Sequence, residues 1–322
     1  MSGDQSARRA PARTLFLGSG GFAVPILDAL VGAPGIDVIA VVSSPDRPSG
    51  RKGKLTAVPV TRRARELGLP LLQPGRVRSP EAIAEIADLQ PELGVLADYG
   101  QIIPAAVLSI PRHGILNVHP SALPRHRGAS PIAATIAAGD PVAAVTLIRM
   151  DEGLDTGPVV ALEAWPLAGD ETAPALEAEA AARGAALLVG IVDDWLAGRR
   201  PPTPQAATGV SLTRPLRRED GRLDPTRSAA ELERQVRAYQ PWPGSFLETT
   251  EGRLIVRAAQ VVPGRTPEEP GRLAADGDGL ALTTADGRLR LLDVQLAGRR
   301  RMDAASLRRG FPTLAEQPVG LR

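Results

Sequence analysis

The sequence predicts an α/β protein: a doubly wound, mostly parallel, Rossmann-like sheet followed by a small antiparallel barrel. Three observations carry this. Up to residue 198, strand-length apolar runs alternate with amphipathic helical stretches, the pattern of βαβ units. A proline-rich run from Arg199 to Gly209 then breaks that pattern. Beyond it, short apolar runs are separated by Glu251-Gly252, Asp276-Gly277 and Asp286-Gly287, dipeptides that favour tight turns. The expected organisation is a disordered tail at 1–13, a domain at 14–198, a linker at 199–209 and a second domain at 210–322.

Thr14 to Leu17 reads as the first strand, Phe22 to Leu30 as a helix and Ile36 to Val42 as the next strand. Gly18-x-Gly20 between them invites a dinucleotide-binding reading. Against it, Ser43-Ser44-Pro45 leaves no acidic residue on the second strand's tip to hold a ribose, so a plain tight turn is expected. Pro45 to Lys54 (PDRPSGRKGK) is too polar and too rich in Gly and Pro for regular structure; it reads as a mobile loop with four cations, Arg47, Arg51, Lys52 and Lys54. Helices follow at Ala57 to Leu67 and Glu81 to Leu89, and strands at Leu69 to Leu72 and Leu93 to Ala97. The last ends in Ala97-Asp98-Tyr99-Gly100, at the carboxyl edge where such sheets bind ligands. Tyr99 and its backbone are pocket candidates there, and Asp98 could equally cap the strand.

Gly114 to Asp155 concentrates the reactive side chains. Ile115, Leu116 and Val118 make a short buried strand on which Asn117 and His119, two apart, point the same way. Pro120, Pro124, Gly128 and Pro131 stiffen the run that follows, and Ser130 is expected to cap a helix ending at Gly139. A second strand, Ala144 to Met150, leads into Asp151-Glu152-Gly153-Leu154-Asp155, with Asp155 as the third polar member. An imidazole can take a proton or support an oxyanion, an amide can donate to the same oxygen, and a carboxylate can orient the imidazole. That equips the stretch for acyl transfer without a covalent intermediate. The bland alternative is a satisfied strand-end histidine beside a turn-forming aspartate. With no cysteine, and with Ser121 outside any Gly-x-Ser-x-Gly elbow, no nucleophile stands out. No histidine pair has metal-ligand spacing, so no metal is expected.

Ala173 to Gly198 reads as a long helix closing the first domain. The second domain is expected to have a helix at Ala229 to Tyr239 and strands at Ser245 to Glu248, Arg253 to Val262, Gly271 to Ala274, Gly279 to Thr283 and Leu289 to Gln295. YQPWPGS reads as a structural corner in which Trp242 packs into the core. Residues 1–190 carry 17 basic and 19 acidic side chains and residues 191–322 carry 21 and 17, so the net charge of +2 hides a basic second half. Such a tilt suits a polyanion such as RNA, with arginines such as Arg299, Arg300 and Arg301 meeting phosphates. No run has the length of a bilayer span and the N-terminal stretch lacks a secretory apolar core, so a cytoplasmic chain is expected.

The string NVHPSALPRHRGASP, followed after a helix by DEGLDTGP, resembles the formyltransferase family that uses formyltetrahydrofolate. The likeness runs from about Thr14 to near the C-terminus and takes in PDRPSGRKGK, ADYGQIIP and YQPWPGS. It implies 10-formyltetrahydrofolate as donor, no metal, and Asn117, His119 and Asp155 as the catalytic trio. It also implies that Ser121, Ala122, Leu123 and Pro124 lie against the folate, with Ala97, Asp98, Tyr99 and Gly100 lining the pterin pocket. In members acting on initiator methionyl-tRNA, the loop matching PDRPSGRKGK is implicated in wedging into the acceptor stem. The resemblance thus implies that tRNA as partner, contacts from Arg47, Arg51, Lys52 and Lys54, an OB-like tRNA-binding barrel at 210–322, and a monomer. Asn117 and a protonated His119 would steady the oxyanion while Asp155 holds His119. Three positions depart from the family: Ala122 for leucine, Asp98 for alanine and Pro215 for a lysine at the tRNA. A formyltransferase for a nucleotide sugar or small amine, a nicotinamide dehydrogenase, and a non-catalytic RNA-binding module remain as alternatives.

Overall fold

The computed structural model describes residues 10–49, 54–264 and 269–320. The chain resolves into two compact units. The first comprises the chain up to Ala129, Ala143–Trp165 and Glu177–Leu212; the second comprises Ser130–Val142, Pro166–Leu176 and the chain from Thr213.

The first unit opens with β1 (Ala12–Gly18), α1 (Ala23–Val31) and β2 (Ile36–Val42). Leu15, Phe16, Leu17, Val41 and Val42 are fully buried, as expected of central parallel strands covered on both faces. Next come β3 (Arg47–Ser49) and β4 (Lys54–Thr56), paired antiparallel with Ser49 opposite Lys54. The expectation of an irregular PDRPSGRKGK run is thus corrected at its two ends, where a two-stranded ladder tolerates Pro48 at an edge. Arg51 and Lys52 lie outside the described residues. Then follow α2 (Pro59–Glu66), β5 (Leu71–Leu72), α3 (Pro80–Asp88), β6 (Leu93–Ala97), α4 (Ala105–Leu108) and β7 (Ile115–His119). Ser79 caps α3 by accepting the Ala82 N–H at 3.2 Å.

After β8 (Arg127–Gly128) and α5 (Pro131–Ala138), the chain returns to the main sheet in β9 (Val142–Arg149) and β10 (Val159–Pro166). The seven strands run in the order β10-β9-β7-β6-β1-β2-β5. The pairs from β5 to β7 are parallel, and β9 lies antiparallel to β7. β10 was not anticipated: its burial alternates irregularly, as an edge strand's does. Ser130 occupies the N-cap position of α5, but its side chain makes no capping bond, so the expected cap is corrected; its N–H donates to Thr213 Oγ1 at 3.1 Å. α6 (Ala173–Leu196) covers β7 and β9 closely, because a Cβ on Gly184 would lie 2.7 Å from Val118 Cγ1.

The second unit follows β11 (Leu212–Thr213) with α7 (Ala229–Ala238), started by a Ser228–Glu231 capping box. Its sheet holds β12 (Ser245–Thr249), β13 (Gly252–Val262), β14 (Leu273–Asp276), β15 (Gly279–Thr283), β16 (Arg288–Leu296) and β17 (Met302–Asp303), with α8 (Ala304–Gly310) after them. The order is β12-β13-β16-β15-β14, with β17 beside β16, and the pairings are antiparallel. Register shifts between Val256 and Ala259 bend β13 and curl the sheet around Leu232, Val236, Leu254, Leu282 and Leu291. The Trp242 expectation is corrected: the indole is 54% exposed, and every other aromatic side chain is buried or half-buried. Among the described residues no helix is long and apolar enough to cross a membrane.

Candidate active site

β7 fixes two of the three polar side chains by its pleat. Asn117 and His119 are 6% and 5% exposed, while Val118 between them faces α6. Asp155 arrives from elsewhere. Because β9 runs antiparallel to β7, the loop after it starts beside Ile115, whose carbonyl accepts the Met150 N–H at 2.8 Å. The loop then brings Asp155 over the face of β7. Asn117 Nδ2 donates to Asp155 Oδ1 at 3.2 Å, and His119 Nδ1 stands 3.6 Å from Asp155 Oδ2. The Gly128 N–H donates to the same Oδ2 at 2.7 Å.

The tautomer of His119 follows from its other contact. Nε2 lies 3.1 Å from the His126 carbonyl, which can only accept, so Nε2 carries a hydrogen. Burial lowers the His119 pKa below its ordinary value, with the Asp155 charge and the His126 carbonyl opposing that shift. The resting imidazole is therefore neutral near pH 7, with its lone pair on Nδ1. The sequence reading has His119 protonated beside the oxyanion; desolvation favours the neutral form before reaction.

The surrounding loop is held from several sides. Thr146 Oγ1 donates to the Ser121 carbonyl at 2.6 Å and accepts the Leu123 N–H at 3.3 Å; Ser121 Oγ donates to the Arg125 carbonyl at 2.7 Å. Ser121 and Leu123 are buried, and Ala122 and Pro124 half-buried. Five non-glycine residues adopt positive φ among the described residues, and three flank this region: Asp98 (45°), His126 (60°) and Asp155 (51°). Residues held in the left-handed region away from glycine concentrate at functional sites.

Ala97 to Gly100 leave the neighbouring strand at the same edge, since Leu96 pairs with Asn117. The Tyr99 side chain sits in the core at 2% exposure with its hydroxyl unpartnered, and burial pushes that hydroxyl up to about 12. Only its backbone faces the strand end, where its carbonyl accepts from Ser19 Oγ at 3.1 Å. Desolvation, then the Glu177 charge, pushes the Asp98 carboxyl up to about 6. The glycine turn is spent internally: the Ser19 and Gly20 N–H groups both donate to the Asp98 carbonyl, at 2.9 and 3.2 Å. A Cβ on Gly20 would fall 1.6 Å from Asp98 Oδ2, so this glycine makes room for a carboxylate rather than a pyrophosphate. Arg47 and Lys54 lie on the β3 and β4 backbones. Among the described residues no group of three or more His, Asp or Glu side chains is arranged to hold a metal.

Several residues that sequence reasoning left aside take part. His126 acts through its carbonyl, Thr146 through its hydroxyl, and Gln205 and Ser211 reach the loop from the run after α6. None carries a motif, because each of these bonds has a main-chain atom on one side.

A family model described as Formyl transferase matches residues 12–192, and one described as Formyl transferase, C-terminal domain, matches residues 215–312. A methionyl-tRNA formyltransferase of Halorhodospira halophila is 45% identical over 309 residues, spanning 96% of this chain and 99% of its own. One from Roseiflexus sp. is 42% identical over 311 residues, 96% of each chain. Among solved structures, the N-formyltransferase of Helicobacter canadensis, crystallised with folinic acid and dTDP-3-aminofucose, shares the fold with a TM-score of 0.65. It does so at 14% identity, over 87% of this chain and 98% of its own. Two matched domain models and near-full-length relatives above 40% identity place this chain in the formyltransferase family.

Proposed function

We propose that this chain transfers the formyl group of 10-formyltetrahydrofolate to the free amino group of methionyl-initiator tRNA. The observation that carries the chemistry is the meeting of Asn117, His119 and Asp155 on one buried face of β7. The names of its near-full-length relatives support the acceptor.

The donor brings a formyl carbon already bonded to a leaving nitrogen. As the methionyl amine attacks that carbon, negative charge grows on the formyl oxygen. The Asn117 amide donates only one of its two hydrogens to Asp155, which leaves the other for that oxygen. Neutral His119 accepts the proton released by the attacking nitrogen, and the Asp155 carboxylate steadies the imidazolium so formed. The same proton then goes to the departing folate nitrogen, so the site ends as it began.

The folate is assigned to Ser121, Ala122, Leu123 and Pro124 and to the Ala97–Gly100 backbone. Two features favour this edge. Space is open beyond the Gly100 α-carbon, and an Asp98 carboxyl with a pKa of about 6 can give or accept a hydrogen bond to a heterocycle. The tRNA acceptor stem is assigned to Arg47, Arg51, Lys52 and Lys54, and the body of the tRNA to the second unit, read as an OB-like barrel. The chain would act as a monomer without a metal.

Labelled formyl transfer from formyltetrahydrofolate tests this, with methionyl initiator tRNA, free methionine and an amino nucleotide sugar offered side by side. Label on the charged tRNA alone is expected. Label on the sugar amine with the tRNA ignored would keep the trio and overturn the acceptor, and no transfer at all would overturn the enzyme.

A further inference from the structure

The run that the sequence presents as a spacer is fastened to the catalytic loop. Thr203 exchanges two main-chain bonds with Val159, at 2.7 and 2.8 Å. Ser211 Oγ accepts the His126 N–H at 2.8 Å. Between these points lies Gln205, half-buried, with all four of its hydrogen-bonding positions in use. Its Nε2 donates to the carbonyls of Asp155 and Gly157, both at 2.8 Å. Its Oε1 accepts from Arg127 Nε at 3.1 Å and Arg127 Nη2 at 2.7 Å. The amide cannot be turned round, because carbonyls only accept and a guanidinium only donates.

These bonds fall on both sides of one carboxylate. Asp155 has φ of 51°, a conformation disfavoured for a residue with a Cβ, so the peptide after it must be held from outside. Gln205 holds that peptide's carbonyl. Through Arg127 it also holds the residue preceding Gly128, whose N–H is on Asp155 Oδ2 at 2.7 Å.

We infer that Gln205 is a positioning residue for Asp155, setting the carboxylate between Asn117 and His119 without touching the reacting atoms. The kinetic side of this inference rests on the proposed formyl transfer; the spectroscopic side does not. The groups facing the His119 ring are the Asp155 carboxylate and the carbonyl and ring of His126. Of these, Asp155 raises the His119 pKa, so a carboxylate that drifts away should let it fall further.

The test uses the full chain with Gln205→Met, which keeps the length, and Gln205→Glu, which keeps acceptors for Arg127 but has nothing to donate. Both should lower kcat by about 10- to 100-fold with KM for donor and acceptor within about twofold, the scale of a sub-ångström to ångström misplacement. In NMR titrations without substrate, the His119 ring of Gln205→Met should titrate at lower pH than in the parent. In an Asp155→Asn background, Gln205→Met should remove nothing more, because the group it positions is already gone. A folded Gln205→Met with unchanged kcat and an unchanged His119 titration would overturn the inference. So would full activity in Gln205→Glu, or losses that multiply in the double variant. If the parent transfers formyl to no acceptor, the proposed function fails on its own, and the titration still decides the role of Gln205.

Discussion

The face of β7 and the surface of the second unit handle charge in opposite ways. Over the face of β7, polar side chains nearly sealed from water meet one another and are also held by main-chain groups: the His126 carbonyl on His119 and the Gly128 N–H on Asp155. In the second unit, arginines meet carboxylates at the surface, as in Arg214–Asp220, Arg253–Glu248 and Arg301–Asp293. A main-chain partner cannot titrate or swing away, so the first arrangement sets geometry. A rim ion pair is screened and exchangeable, so its arginine can trade a carboxylate for a phosphate at little cost. The contrast separates a buried cluster of fixed geometry from a surface of exchangeable charge.

The largest effects should come from breaking the first region. His119→Ala or Asp155→Asn should lower kcat by about a thousandfold or more while KM changes little, and Asn117→Ala by about 100- to 1,000-fold, the cost of an oxyanion donor. Raised KM with unchanged kcat would remove these residues from the chemistry. The pH profile sharpens the same point. In the proposed mechanism neutral His119 accepts the proton, so activity should fall as pH drops through its lowered pKa. Asp155→Asn removes the charge that raises that pKa, so the acid limb of its residual activity should move to lower pH; a shift upward would contradict the assignment.

Much of this site is legible in the sequence, and the remainder is hidden for a physical reason. The pleat of a strand places Asn117 beside His119 whatever surrounds them, and the bounds of β2, β6 and β15 follow from apolar runs alone. The approach of Asp155 depends on β9 running antiparallel, which local pattern does not encode. Gln205 and Thr146 bond to carbonyls, so their side chains advertise nothing. Tyr99 looked like a pocket residue because it ends a strand, yet its ring went to the core; Trp242 looked like core and went to the surface. The count of arginines likewise overstates the free charge of the second half. Arg301 is bonded to Asp293 and Arg299 lies 5.9 Å over the Phe311 ring, whereas Arg300 is exposed with no such partner among the described residues.

Intermediate effects belong to the proposed grip on tRNA. Replacing Lys52 and Lys54 by alanine should weaken tRNA binding and flatten the dependence of log K on log salt by up to about 1.8, roughly 0.7 to 0.9 for each phosphate no longer neutralised. An unchanged slope would take the loop out of the interface. Trp242→Ala offers a second handle. An exposed indole between two prolines leaves apolar surface in water unless something covers it, and base stacking is worth about 1–3 kcal/mol. tRNA binding should therefore weaken up to about 100-fold while thermal stability barely moves; unaltered binding would leave the indole without a role.

The smallest effect tests the contrast itself. Arg214 makes two bonds to Asp220, at 2.7 and 2.5 Å, and the turn before Gly221 adds the Arg217 N–H at 2.6 Å. The Arg214 bonds, the largest cause, bring the Asp220 carboxyl down to about 2 against an ordinary value of 3.8. A depressed carboxylate pKa stabilises the fold above the unfolded value and ceases to do so as pH falls through the folded one. The contribution should accordingly fade between about pH 4 and pH 2, where the unfolded chain binds the proton first. Arg214→Ala should raise the acid-unfolding midpoint slightly and leave formyl transfer to a saturating acceptor untouched. If it instead lowered kcat as Asn117→Ala does, an exchangeable surface pair would be governing the chemistry, and the division between fixed and exchangeable charge would fall.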